Sequence, residues 1–397
     1  MSAIRTTTAL CLAEILAMSS FASFPALTPF FFGHWGLSGA DAGWINGFFF
    51  FGFMLVGPLS TSITDRIDAR RVFLSGCGLA AIGTIGFAFL ADDFWTSLPW
   101  RFLSGAGLGC TYMPGLKLLT DRLPEGDQSR SIAFYTACFS AGSAVSFLVV
   151  GQVALWLDWK TALMVIIAGP PLAIAIILLF TRSKTLSKRR PWSQIVNYSP
   201  VMKNRFTMGY IIGYMVHTWE LVTMRAFMLA FLAYSHMLTD APAWMDVSAI
   251  TAFAVFLGLP SSVMGNELSL KIGRQRSITV IMILTFFSAV TIGFTADFPF
   301  AYVVALACLY GILITADSSS LTAGAVGSAP PDLRGATMAV HSFLGFLGGM
   351  MGPVVAGIVL DSAGGPTSTK GWGVMFAVVG IVTLIGPFAL RLTRHRA

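Results

Sequence analysis

The sequence predicts an all-α membrane protein, with twelve transmembrane helices arranged as two six-helix bundles. Three observations predict it. The chain is 55% hydrophobic, with mean hydropathy +0.76 and only 11% charged residues, against about 25% charged in soluble domains. Apolar runs of roughly 20 residues, the length that crosses a bilayer core, recur along the whole chain. The basic residues gather in every second loop, the bias that sets membrane orientation. So few charges cannot cover a soluble surface of 397 residues, whereas lipid tails solvate apolar side chains directly.

In chain order the runs are 9–33, 42–63, 72–91, 95–118, 131–155, 161–181, 207–234, 247–269, 277–296, 300–325, 336–360 and 372–391. The first follows Arg5 and resembles a signal peptide, but its apolar character runs from Ala9 to Trp35, longer than an h-region. It is read as span one. The runs are too long and too continuously apolar for the alternating strands of a membrane β-barrel. One set of loops and tails holds twenty Lys and Arg residues, from Arg5 to Arg396, and the opposite set holds only Lys160 and Lys370. Both termini are therefore expected in the cytoplasm, of a chain spanning the inner (plasma) membrane. An even number of spans is required, and twelve meets it.

The formal charge of +7 follows this topology, so no nucleic-acid partner is inferred from it. Five cysteines (Cys11, Cys77, Cys110, Cys138, Cys308) lie inside apolar runs without a CxxC and read as small buried residues. The histidines show no metal-ligand spacing, and no G-x-x-x-x-G-K-[ST] phosphate loop occurs. No cofactor, metal or enzymatic activity is expected.

The longest polar stretch, "RSKTLSKRRPWSQIVNYSPVMKNRF" at 182–206, separates spans six and seven. It divides the chain into a first bundle (1–181), a cytoplasmic linker (182–206) and a second bundle (207–397). The halves echo one another. "DRIDARR" (65–71) after span two has a counterpart 205 residues on in "LKIGRQR" (270–276), and Arg130 of "PEGDQSRS" lies 204 residues before Arg334 of "PPDLRGA". Motifs recurring in order at nearly one offset indicate duplication, which in transporters places the site between repeats near the midplane.

The loop Asp65-Arg66-x-x-x-Arg70-Arg71 resembles the signature loop of the major facilitator superfamily, which usually reads G-x-x-x-D-R-x-G-R-R. Arg101-x-x-x-Gly105-x-Gly107 in span four resembles that family's second motif. With twelve spans and a basic central linker, the resemblance covers essentially the whole chain. Three positions depart from it: Thr61 and Asp68 stand for the two glycines and Ala69 for the first paired arginine. At Asp68, a left-handed turn is expected, since Asp tolerates that conformation better than most residues. In the second half Leu270 takes the Asp position, while Gly273 and Arg274 fit. The resemblance implies the major facilitator fold, alternating access, and a conformational latch at Asp65, Arg66, Arg70 and Arg71. The arginines also anchor this loop in the cytoplasm.

A charge at the centre of a spanning helix costs about 2.5–3.5 kcal/mol on insertion scales, so each is a functional candidate. The deep ones are Glu14, Arg101, Glu220, Arg225 and Asp317, in spans one, four, seven and ten. These four spans line the central cavity of the resembled fold. Lys117 and Glu267 lie nearer the cytoplasmic ends and are expected to be wet. Arg101 and Arg225 suit a carboxylate, because a guanidinium offers forked donors. Glu14, Glu220 and Asp317 suit proton binding, with structural pairing to the arginines as the alternative. His217 shares a helix face with Glu220 three residues on, and His341 of span eleven reads first as a packing residue. Gly345, Gly348, Gly349 and Gly352 let helices approach closely, and Pro353 is expected to bend span eleven. The family's Gly-Pro antiporter string is missing from "FSAGSAVSFLVVGQ" (139–152) in span five.

The expected function is secondary active transport of a small solute by a monomer. An organic anion moved with protons or by exchange leads, and efflux of an amphipathic or cationic compound is the alternative.

Overall fold

A computed structural model describes residues 3–123, 128–184, 198–330 and 333–393. Most of the expected linker (185–197) lies outside them, as do the loop residues 124–127 and 331–332, and with them Lys188, Arg189 and Arg190. Among the described residues all regular structure is helical. Lipid offers no partner for a backbone N–H or C=O, so a spanning segment closes its hydrogen bonds within itself.

Among the described residues, ten helices are long and apolar enough to cross a membrane. They are span two (Gly39–Ile63), three (Ala69–Leu90), five (Phe134–Trp156), six (Trp159–Phe180), seven (Arg205–Leu238), eight (Val247–Ile272), nine (Arg274–Gly293), ten (Phe300–Ser328), eleven (Arg334–Ser362) and twelve (Thr369–Leu392). Span four is the 27-residue helix Phe94–Thr120, which carries Arg101 and Lys117 and is correspondingly less apolar. Span one is not one continuous rod. Ala3–Ser20 and Pro25–His34 meet at a bend of 46°. Pro25 has no N–H to continue the ladder, and the ring blocks the preceding turn.

Side-chain carboxylates and hydroxyls start many of these helices. Asp93 and Thr96 form a reciprocal capping box at span four. Asp158, Asp246, Asn204 and Ser368 cap spans six, eight, seven and twelve. Each satisfies an N–H that the helix itself leaves unpaired.

The chain folds as two compact units. One comprises Met1–Leu27 and Phe48–Ile195, the other Thr28–Gly47 and Val196–Ala397. The first unit is cored by Leu10, Ala13, Phe73, Cys77, Leu118, Leu119, Tyr135, Ala173 and Ile177, contributed by spans one, three, four, five and six. Span four touches span two backbone to backbone: a Cβ on Gly105 would overlap the carbonyl of Phe49. All five cysteines are free thiols; Cys77, Cys110 and Cys138 are buried as expected, whereas Cys11 and Cys308 are part-exposed.

In the second unit, span eleven lies along span seven through its glycines. Gly345 faces the Tyr214 ring, Gly348 the Met215 carbonyl, and a Cβ on Gly352 would meet the Trp219 carbonyl at 2.5 Å. The helix runs through Pro353 unbroken. This unit also contains the first turns of span two. There the Asp361 carboxylate accepts the N–H of Gly39 at 2.7 Å and of Ala40 at 2.8 Å, at the positive end of a 25-residue helix.

Candidate functional site

Span one carries Glu14 into the first unit, where it is 0% exposed. Its Oε2 accepts the hydroxyl of Tyr135 at 2.9 Å and its Oε1 that of Thr111 at 3.5 Å. Tyr135 also lies 3.1 Å from the Thr111 carbonyl. Three helices meet here, and none of their buried side-chain oxygens lacks a partner. The sequence marked Glu14 but not Tyr135 or Thr111, since both read as ordinary residues of apolar runs.

Arg101, 1% exposed, lies at the break in span one. Its Nη1 donates to Ser23 Oγ at 2.7 Å and to the Ser20 carbonyl at 3.2 Å. Its guanidinium carbon sits 4.7 Å from the Phe49 ring centroid and 5.9 Å from that of Phe87. Its Nε has no hydrogen-bond partner, and no carboxylate lies within ion-pair distance among the described residues. The expected alternative, pairing between buried arginine and buried acid, is therefore not what holds Arg101. The Ser20 carbonyl that the guanidinium uses also accepts the Ser23 N–H at 3.2 Å and the Ser23 hydroxyl at 2.8 Å.

In the second unit, span ten breaks at Asp317, which ends Phe300–Ala316 and begins Ser318–Ser328. Its Oδ1 lies 2.8 Å from Nδ1 of His217, both side chains buried. The two lie within ion-pair distance, with angles outside those of a hydrogen bond. Glu220 accepts the Tyr310 hydroxyl at 3.0 Å and lies within electrostatic range of Asp317. Arg225, also buried, is within electrostatic range of Tyr214. The Tyr214 ring stacks on His341 at 3.8 Å and 19°, and lies 5.6 Å from the His217 ring. So the structure brings His217, Glu220 and Asp317 together on spans seven and ten, and adds Tyr214, Tyr310 and His341. Glu14 and Arg101 occupy separate places in the first unit. Lys117 pairs with Asp121 at 3.1 Å, part-exposed, and Glu267 is exposed, both as expected.

The loop between spans two and three differs from expectation at one residue. Asp68 is not left-handed: its φ is −57° and ψ 125°, and it caps span three by accepting the N–H of Arg70. Capping requires an extended φ/ψ, and the carboxylate gains more from that role than from a turn. It also binds Arg122 Nη2 at 2.9 Å and the Lys184 N–H at 2.7 Å. Burial pushes this carboxyl up, but the hydrogen bonds from Lys184, Arg122 and Arg70 outweigh it and hold it below the usual range. Arg70 Nε donates to Thr181 Oγ1 at 3.0 Å. Asp65 and Arg66 are half-buried in the turn before it, and Arg71 is exposed. At the corresponding place in the second half, Gly273 does adopt the positive φ, 93°.

Bundled spanning helices with ionisable groups held inside them define a multi-pass membrane protein of transporter type. The model of the Major Facilitator Superfamily matches residues 10–353 and again 246–397, and the chain belongs to that family. Among curated relatives, the monocarboxylate transporter 13 of Rattus norvegicus is 25% identical over 85% of this chain and 76% of its own length. The niacin transporter NiaP of Acinetobacter baylyi is 28% identical over 33% of this chain, and the vesicular acetylcholine transporter of Mus musculus 34% over 23%. Those two matches span only 30% and 18% of the relatives' lengths. Among solved structures, a bacterial homologue of the human lysosomal transporter Spinster, inward-facing and occupied, aligns with TM-score 0.77 at 14% identity over 98% of this chain and 96% of that one. The nucleoside transporter NupG aligns with TM-score 0.74 at 16% identity over 99% and 100%.

Proposed function

We propose that the chain is a secondary active transporter of a small organic anion, coupled to protons or to exchange and working by alternating access. The observation that carries this reading is Arg101: a buried guanidinium with two neutral oxygens, two aromatic faces and an unpartnered Nε, but no neighbouring acid among the described residues. A buried cation is tolerated when an anion completes it, and a guanidinium matches a carboxylate in shape. Substrate and proton binding fall to Glu14, Arg101, His217, Glu220, Arg225 and Asp317. Asp65, Arg66, Arg70 and Arg71 form the conformational latch. Relatives named for monocarboxylates and niacin lend support, as both cargoes carry a carboxylate.

The chain acts as a monomer in the inner (plasma) membrane, with both termini cytoplasmic and six-helix bundles at 1–181 and 207–397. The proposal is tested by uptake of nicotinate and pyruvate into proteoliposomes. Arg101→Ala and Arg225→Ala should each abolish it, and unchanged uptake in both refutes the anion role.

The acids Glu14, Glu220 and Asp317, and a relative named for acetylcholine, favour a second reading: efflux of a cationic compound. It predicts protection of cells against cationic toxicants, lost on neutralising Glu220 or Asp317.

A further inference from the structure

The duplicated halves each build a polar node from three helices, at matching places. Thr111 and Asp317 are 206 residues apart, and so are Tyr135 and His341. In the first unit, the residue from the opening helix that meets this pair is Glu14. In the second it is His217, which faces Asp317 and lies within electrostatic range of His341. The architecture is shared, but the chemistry is not. The first node is a carboxyl group held by two hydroxyls, with every buried side-chain oxygen partnered. The second is imidazole, carboxylate and imidazole, with His217 Nε2 and His341 Nδ1 both unpartnered at 2% and 1% exposure.

His217 turns Nδ1 toward the Asp317 carboxylate at 2.8 Å, an arrangement that favours the ring hydrogen on Nδ1 and leaves Nε2 open. His341 Nε2 lies 3.3 Å from Thr322 Oγ1, where the donor depends on the tautomer, and Nδ1 meets no partner. Two buried ring nitrogens therefore stand open, on rings held parallel to Tyr214.

Resting on the proton-coupled form of the transport reading, we propose that His217 and His341 are the proton-accepting pair of the cycle. His217 takes a proton from water at Nε2 and becomes an imidazolium whose charge Asp317 balances. The His217 Nε2–H bond later breaks and its proton returns to water; His341 takes a proton from water at its open Nδ1 and releases it to water in the same way. The groups facing His217 are Asp317 from span ten, His341 from span eleven, and Tyr214, Glu220 and Arg225 from its own helix. The remaining ionisable residues of the packed spans eight and twelve, Glu267, Lys271, Lys370 and Arg391, are exposed.

Nitrogen NMR of histidine-labelled protein in nanodiscs tests the node without any substrate. His217→Gln and His341→Gln assign the signals. His217 should keep its Nδ1–H and gain a proton at Nε2 as pH falls, and Asp317→Asn should move that titration to lower pH by about one unit or more. In proteoliposomes, His341→Gln should lower the ratio of gradient-driven accumulation to exchange of nicotinate at least tenfold. A His217 ring that stays neutral from pH 8 to 4, or an unaltered ratio in His341→Gln, overturns the proposal. Wild-type vesicles that carry no carboxylate at all would instead refute the transport reading, while the NMR titration still decides the node.

Discussion

Asp361 gives a prediction whose size follows from geometry. Its two oxygens accept separate backbone N–H groups, Gly39 at 2.7 Å and Ala40 at 2.8 Å. Both donors belong to the first turn of span two, where no intrahelical acceptor exists. The group is partly exposed, so each bond is taken at the low end, about 1 kcal/mol, with up to about 1 kcal/mol more from the helix dipole. Asp361→Ala should therefore destabilise the protein by about 2–3 kcal/mol. Asp361→Asn keeps one acceptor and loses the charge, so about half that loss is expected. A Cβ at Gly39 would approach Asp361 Oδ1 to 2.8 Å and the Gly357 carbonyl to 3.0 Å, so Gly39→Ala should weaken the same joint. Thermal and denaturant unfolding of purified protein measures all three. If Asp361→Ala unfolds like wild type, or Asp361→Asn costs as much as Asp361→Ala, the cap is not holding span two.

Three further outcomes are expected. Gly105→Ala pushes a Cβ into the Phe49 carbonyl and should cost about 1–3 kcal/mol. At Gly78 of span three nothing lies within 4 Å, so Gly78→Ala should instead stabilise by about 0.5–1 kcal/mol; parallel melting curves read both signs. Tyr135→Phe removes the donor to buried Glu14 and should destabilise by about 1–3 kcal/mol, as should Tyr310→Phe at Glu220. Asp68 is held below its ordinary 3.8, so its contribution is complete above about pH 4 and fades as pH falls through the lowered value. Asp68→Asn should flatten the acid limb of stability against pH, and an unchanged limb would contradict the assignment.

Hydropathy alone reached most of the fold, because in lipid each span is fixed by its own apolar length. The run 72–91 became Ala69–Leu90, and 95–118 became Phe94–Thr120. The bend in span one escaped this scan, since residues 18–27 stay apolar while Pro25 interrupts the backbone ladder. The deep charges were visible for the same reason as the spans: each is an exception within an oily run. Their partners were not. Tyr135, Thr111, Tyr310 and Ser23 are ordinary one at a time, and only packing between distant segments gives them a role. One signal was available, the common 206-residue offset of Thr111 with Asp317 and Tyr135 with His341. Asp68 was misjudged because a motif position suggested a glycine-like turn, whereas its carboxylate finds a helix N-terminus and Arg122.

That the scarce ionised side chains of the spans serve an aqueous transport route, and not packing alone, is tested most directly by cysteine accessibility. In a cysteine-free background, Arg101→Cys and Asp317→Cys are exposed to a membrane-impermeant thiol reagent, with Ile82→Cys, 54% exposed midway along span three, as the lipid-facing control. The account predicts labelling at positions 101 and 317 well above the control, slowed by added nicotinate at position 317, where Arg101 is intact. Labelling at both positions no faster than at Ile82→Cys would contradict it.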